Sequence, residues 1–281
     1  MLPFELCAFA DEAGETLRTQ ISALSENQIP YLEIRGVNGR SITQYTESEA
    51  AEVKKMLSDH GLKVWSIGSP LGKIKITDDF AAHLDLFRRT LNLARVLEAP
   101  CIRLFSFYLP EQEDPAPYRD TVMEYLDRFL EEAKGSGVLL CHENEKGIYG
   151  ENAARCADIY KTLPELRGIF DPANFIQCDQ ETLRAYELLA PYIYYMHIKD
   201  ATAEKAIVPA GKGIGHIPEI LTQYAARGGK IVTIEPHLTV FKGLSELEGP
   251  SERSEVGKVY SYPTQRAAFD AACQAVKEII G

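Results

Sequence analysis

Eight short apolar runs, each followed by a longer segment of helical period, divide the chain from end to end, and this alternation restricts its fold more than any other feature. The runs are FELCAFA (4–10), YLEIRG (31–36), LKVWSIG (62–68), CIRLFSF (101–107), VLLCHEN (138–144), LRGIFDPAN (166–174), IYYMHIKD (193–200) and KIVTIEPH (230–237). They are short and rich in β-formers, which reads as strands. Between them, segments such as ESEAAEVKKMLSDHG, closed by Gly61, and the stretch from about Asp78 to Leu97 repeat their apolar residues at helical spacing. A connection of roughly twenty-five residues separates the eighth run from a last helix, PTQRAAFDAACQAVKEII. Repeated strand–helix units make a parallel sheet with right-handed crossovers. Eight of them predict a closed (β/α)8 barrel, a TIM barrel. The rival is a doubly wound open sheet, which calls for a nucleotide loop. The first strand is followed by no G-x-G-x-x-G, and the chain has no P-loop. No Pro/Ser-rich linker or change of composition interrupts the pattern, so residues 1–281 are read as one domain.

The charge balance limits the partners. Thirty Lys and Arg stand against 41 Asp and Glu, a net charge of −11. A surface that acidic repels phosphate backbones and disfavours nucleic-acid binding, while leaving room for a local basic pocket. The six cysteines (Cys7, Cys101, Cys141, Cys156, Cys178, Cys273) show no C-x-x-C spacing, and several lie inside apolar runs. That pattern predicts free, buried thiols in a reducing compartment. The opening MLPFELCAFADEAG lacks the basic start of a signal peptide, and no apolar segment is long enough to span a membrane. The expectation is a soluble cytoplasmic protein.

In such barrels the reactive side chains project from the C-terminal ends of the strands. The fifth run ends in CHEN with Glu143, the sixth in FDPAN with Asp171, the seventh in MHIKD with His197, and the eighth in IEPH with Glu235. Each has a plainer reading on its own. Glu143 reads as a solvated or ion-paired loop charge, and Asp171, before Pro172, as a turn or helix cap. His197 reads as a hydrogen-bonded core histidine. Glu235 has no evident partner, and burying a lone carboxylate is costly. Four successive strands offering one ligand each favour a shared divalent metal. Three carboxylates and one imidazole suit Mn2+ best, with Mg2+ or Co2+ as alternatives and Zn2+ not excluded.

The set HENE…FDPAN…MHIKD…IEPH, with the openings FADEAG and YLEIRG, resembles the sugar phosphate isomerase/epimerase family, the xylose isomerase-like barrels, over nearly the whole chain. That group includes ketose 3-epimerases, hydroxypyruvate isomerases, inosose dehydratases, dehydroshikimate dehydratases and endonuclease IV. The resemblance implies that Glu143, Asp171, His197 and Glu235 are the metal ligands, and that Glu143 and Glu235 move protons as the catalytic pair. The chemistry is consistent with this. A divalent ion holding a carbonyl and its neighbouring hydroxyl stabilises an enediolate, and two carboxylates remove and return the proton. The expected function is a metal-dependent sugar or sugar-phosphate isomerase or epimerase. The alternative is a lyase that dehydrates an inosose or similar cyclic ketone. An endonuclease IV-type enzyme needs more histidines at strand ends than the six present supply, and the net charge opposes it. A sugar-binding barrel without turnover is disfavoured because all four ligand positions are filled. Family members are often dimers or tetramers, so a homo-oligomer is expected.

Further residues are candidates for contact with a sugar or polyol. Asn174 resembles the position where ketose epimerases carry a histidine touching substrate. Lys199 shares strand parity with His197 and reads as an oxyanion contact or a solvated rim lysine. Glu33 and Arg35 read as a rim ion pair or a hydroxyl grip. Arg103 reads as an anion contact or the partner of an acid inside the barrel. Lys212 lies in VPAGKGIGHIPEI (208–220), which resembles the family's G-x-G loop, and whose backbone N–H groups are candidates for cradling an anion. His216 in that loop reads as the lead into the next helix. His142 and Asn144 flank Glu143 and read either as supports of the ligands or as packing, and strand alternation, which points them away from Glu143's side, favours packing. Phe9, Trp65, Phe105, Phe107 and Tyr108 read as core or as walls of a sugar pocket.

Overall fold

Each apolar run forms a strand of four to six residues. Most strands stop short of the run's end, where the chain leaves the sheet to build the rim. The strands are β1 (Glu5–Ala8), β2 (Tyr31–Ile34), β3 (Lys63–Ile67), β4 (Cys101–Leu104), β5 (Leu139–Glu143), β6 (Arg167–Phe170), β7 (Ile193–Ile198) and β8 (Ile231–Ile234). The computed structural model describes residues 2–241, 244 and 256–281. The eight strands run parallel in chain order, and β1 pairs with β8, Glu5 opposite Ile231 and Ala8 opposite Ile234, to close the barrel. A register shift between Leu32 and Glu33 sets Glu33 of β2 opposite Ser66 of β3. Irregularities of this kind re-aim side chains.

The outer layer, among the described residues, holds α1 (Leu17–Glu26), α2 (Glu47–Asp59), α3 (Phe80–Leu97), α4 (Arg119–Ala133), α5 (Ala153–Thr162), α6 (Pro172–Gln177), α7 (Thr182–Leu189), α8 (Ile217–Ala226) and α9 (Gln265–Ile280). Local chemistry sets their ends. Thr46 and Glu49 form a reciprocal capping box on α2, and Gly61, at φ +72°, follows its last turn. In α3, Leu84, Phe87, Leu91, Ala94 and Leu97 make one buried stripe, and Phe87 stacks on Phe129 of α4 at 4.7 Å. Burial of each large side chain in such a stripe stabilises the fold by ~1.5–3 kcal/mol.

One expected boundary moves. The sixth run does not stay extended to Asn174. Pro172, whose φ is preset for a first helical turn, starts α6, and the Asp171 carboxylate caps it by accepting Asn174 N–H at 2.9 Å. Ahead of α4, Ala116–Tyr118 forms a separate 3-10 turn. The long connection expected after the eighth strand lies largely outside the described residues.

Inside the barrel, Cys7, Cys101, Cys141, Ile169, Tyr195 and Ile231 form a core layer toward the strands' N-terminal ends. All six cysteines are free, and all but the half-buried Cys178 are buried. Burial raises the Cys7 and Cys101 thiols well above their ordinary range. Trp65 stacks on Tyr194 at 5.6 Å, at the start of β7 and away from His197, so it does not wall the rim. Phe107 packs with Phe80, Tyr125 and Phe129 in the helical layer, which leaves it no part in a sugar pocket. Among the described residues, no helix is long and apolar enough to cross a membrane.

Candidate metal centre

Glu143 is the last residue of β5, Asp171 the first after β6, His197 the fifth of β7 and Glu235 the first after β8. The barrel brings them together. One potential ligand atom from each lies within 4.8 Å of the others, and all four residues are buried. His197 Nδ1 is 2.8 Å from Glu143 Oε1 and 3.6 Å from Glu235 Oε2. Lys199, two residues on, brings Nζ to 2.9 Å from both Asp171 Oδ2 and Glu235 Oε2. Asp171 Oδ2 is thus a buried carboxylate oxygen facing the cluster and paired with this ammonium.

These residues fit a divalent cation. Five buried carboxylates (Glu12, Glu33, Glu143, Asp171, Glu235) face three buried permanent cations (Arg35, Arg103, Lys199), a deficit of two charges. A buried excess of that kind is expensive unless a metal or protons offset it. The proton affinities reflect it. Burial pushes the Asp171 carboxyl up, against the pull of Lys199. Burial also disfavours a charged His197, yet Glu143 and Glu33 beside it hold its pKa up at about 10. Burial opposes ionisation of Glu235 as well, but Lys199, His237, His197 and Arg35 together hold it well below the usual carboxylate range.

Each glutamate turns one oxygen to the cluster and the other toward an arginine. Arg103 Nη1 donates to Glu143 Oε2 at 3.1 Å, and its Nη2 donates to Gly68 O at 3.3 Å. Arg35 Nη1 lies 3.4 Å from Glu235 Oε1, while its remaining donors reach Asp11 and Glu12. Both guanidinium groups lie over the Phe9 ring, at 4.4 Å for Arg35 and 5.0 Å for Arg103, and His197 meets that ring edge-on.

The candidate substrate contacts divide. Arg103 is committed to Glu143, the inside-the-barrel alternative, rather than to an external anion. Glu33 is not on the rim and does not pair with Arg35. It is fully buried, accepts from Tyr195 OH at 2.8 Å and lies 3.1 Å from His197 Nε2. Asn174 does reach the centre, with Nδ2 donating to Asn144 O at 2.9 Å and lying 3.5 Å from Glu143 Oε1. Lys199 is inside the centre and not a solvated rim lysine. Lys212 is exposed. Its glycine loop already holds an anion of the chain's own: the Asp200 carboxylate accepts the N–H groups of Ala201, Gly211, Gly213 and Gly215 at 2.9–3.0 Å. The two neighbours of Glu143 part: His142 packs as strand alternation favours, whereas Asn144 supports a candidate ligand. His142 turns outward to Ser106 and Tyr160, and burial lowers its pKa to about 3, while Asn144 clamps the backbone of Asp171.

Sequence reasoning missed several residues of this end of the barrel. Glu12 follows β1 and takes Arg35 at 3.1 Å and His237 N–H at 2.7 Å. With Glu235 and His237 it forms a second group of potential ligands, in which Arg35 is shared among Glu12, Asp11 and Glu235. His237 sits two residues after Glu235, a parity signal that IEPH contains. Lys73 pairs with Glu145 at 2.9 Å and lies over the Phe105 ring, and the second glutamate of HENE was the available sign.

A family model described as a xylose isomerase-like TIM barrel matches residues 22–245. Solved structures share the fold across almost their full length. The probable 3-DHS dehydratase AsbF from Bacillus anthracis has a TM-score of 0.72 at 15% identity, covering 98% of each chain. A D-psicose 3-epimerase solved in the presence of D-fructose has a TM-score of 0.72 at 16% identity, covering 99% of this chain and 100% of its own. The IOLI protein with a binding zinc atom has a TM-score of 0.71 at 14% identity, covering 99% of this chain and 98% of its own. No curated protein matches the chain by sequence.

Proposed function

Because this chain belongs to the xylose isomerase-like TIM barrel family, we propose that it is a divalent-metal-dependent isomerase or epimerase acting on a sugar or sugar phosphate. The observation that carries this reading is the buried convergence of Glu143, Asp171, His197 and Glu235 within 4.8 Å. These four would hold the ion, and Mn2+ suits three carboxylates and one imidazole. When bound, the ion supplies Lewis-acid stabilisation of negative charge on adjacent substrate oxygens.

The chain's own groups do the rest. One of Glu143 and Glu235 takes the proton from carbon as a carboxylate, and it is returned either by that same carboxyl or by the other one in its protonated form, the first keeping the proton it took. Arg103 orients Glu143 and Arg35 orients Glu235. Lys199, held between Asp171 and Glu235, donates to a substrate oxygen as charge develops there. Asn174, beside Glu143, orients a hydroxyl. Exclusion of bulk water from these buried groups strengthens each contact. We further propose a cytoplasmic homo-oligomer.

Metal-stripped and metal-restored protein, incubated in D2O with a panel of ketoses, ketose phosphates and inososes, tests the proposal by NMR. The expected result is metal-dependent deuterium at the carbon beside the carbonyl, with no loss of water. An unsaturated product formed with loss of water would make the enzyme a lyase on the same centre. Absence of metal-dependent exchange across the panel would overturn the assignment.

A further inference from the structure

We propose that Glu33 is a positioning residue of this centre: it holds His197 through Nε2, so that the lone pair of Nδ1 is presented to the ion. The inference rests on the metal reading above and gives Glu33 a task other than substrate contact.

The geometry begins in the sheet. The register shift between β2 and β3 sets Glu33 opposite Ser66, inside the barrel. Both carboxylate oxygens are engaged there, Oε1 by Tyr195 OH at 2.8 Å and Oε2 by His197 Nε2 at 3.1 Å. Ser66 Oγ lies 3.2 Å from the same Tyr195 hydroxyl, which fixes Glu33 from behind. Tyr195 and His197 are two residues apart on β7 and therefore share a face. The other ring nitrogen, Nδ1, faces Glu143 Oε1 and Glu235 Oε2, the oxygens of the candidate ligand cluster.

A neutral imidazole carries one N–H and one lone pair, and the hydrogen bond at one nitrogen decides which is which. Both nitrogens face carboxylates, Nδ1 at 2.8 Å from Glu143 and Nε2 at 3.1 Å from Glu33, so an ion taken up among Glu143, Asp171 and Glu235 would engage Nδ1 and leave the proton on Nε2, where Glu33 accepts it. A carboxylate behind a histidine ligand also raises the basicity of the ring and fixes its plane. Glu33 further belongs to the buried excess of two negative charges, so neutralising it weakens the attraction for a divalent ion.

The test uses metal-stripped full-length protein titrated with Zn2+ by calorimetry, together with spectra of selectively 15N-histidine-labelled, zinc-loaded protein. The variants are Glu33→Gln, which keeps the shape and removes the charge, and Tyr195→Phe, which removes the hydroxyl behind it. Glu33→Gln is expected to bind zinc about 10–100-fold more weakly than wild type, with a smaller loss of the same sign in Tyr195→Phe. In zinc-loaded wild type the His197 proton resides on Nε2, and its resonance moves upfield in Glu33→Gln, a change that general loosening of the core does not produce. Zinc bound through Nε2, or affinity in Glu33→Gln within about threefold of wild type, overturns the inference while leaving the metal site standing. Wild type that takes up no divalent ion overturns the metal reading and this inference together.

Discussion

At the residue scale, Glu143 and Glu235 combine two demands. Each must place one oxygen in a shared cluster and keep the other fixed, and Arg103 at 3.1 Å and Arg35 at 3.4 Å do the fixing. Glu143→Gln and Glu235→Gln are each expected to lower turnover about 10²–10⁴-fold. A cooperative thermal transition should remain in both variants. Turnover near the wild-type rate in either one would remove it from the proton-transferring pair. His142 and His83 have the opposite character. Burial keeps both neutral, with pKa values of about 3 and about 4 against 6.5 for the free side chain. In both, the folded state binds fewer protons than the unfolded state below about pH 6.5. Stability is therefore expected to fall as pH drops from 6.5 toward 4, with a slope approaching ~1.4 kcal/mol per pH unit for each histidine. Denaturant midpoints measured across that range check it, and His142→Gln should flatten the profile.

At the element scale, the turn after β7 is set by one carboxylate. Asp200 collects four backbone N–H groups, and the glycines let the chain come close enough to offer them. A Cβ on Gly213 would stand 2.2 Å from Ala201 O and 2.4 Å from Asp200 Oδ1, a clash with backbone. Gly213→Ala and Asp200→Asn are each expected to destabilise the fold by ~1–3 kcal/mol, the cost of leaving buried partners unmatched. Because Asp200 follows Lys199 directly, both variants should also reduce turnover. A denaturation midpoint unchanged in both would show that the turn holds without the nest. The start of α6 illustrates how a tertiary site reuses local chemistry. Asp171 caps the helix with Oδ1 and leaves Oδ2 to the cluster.

At the scale of the whole molecule, a charge deficit lies at one end of the barrel while the opposite end is packed with thiols and aromatic rings. A divalent ion that binds only the folded state stabilises it by mass action, about 2.7 kcal/mol at a concentration 100-fold above Kd. Thermal melts with and without chelator should show that gain as a higher Tm, and identical melts would speak against a resident ion. Without metal, the sign at alkaline pH is fixed by His197. Its folded pKa of about 10 exceeds the unfolded 6.5, so its stabilising contribution is complete below pH 6.5 and is lost as pH rises toward 10. Metal-free protein should therefore weaken across that window, and metal-loaded protein should weaken less, because the ion replaces the proton.

The sequence by itself determined the barrel and the four candidate ligands. Apolar residues at strand and helix periods decide which faces are buried, and closure in chain order follows from repeating that unit. The ends of β5 to β8 can then be read directly, because parity and position along a strand are local properties. Only the tertiary structure decided which charges compensate one another. Arg35 belongs to Asp11, Glu12 and Glu235 rather than to Glu33 two residues away, Glu33 belongs to His197, and the glycine loop closes on Asp200 instead of an outside anion. Such pairings join residues as many as 225 positions apart, as Glu12 and His237 are. They depend on the register shift in β2 and on the path of each loop above the barrel, and neither leaves a period in the sequence.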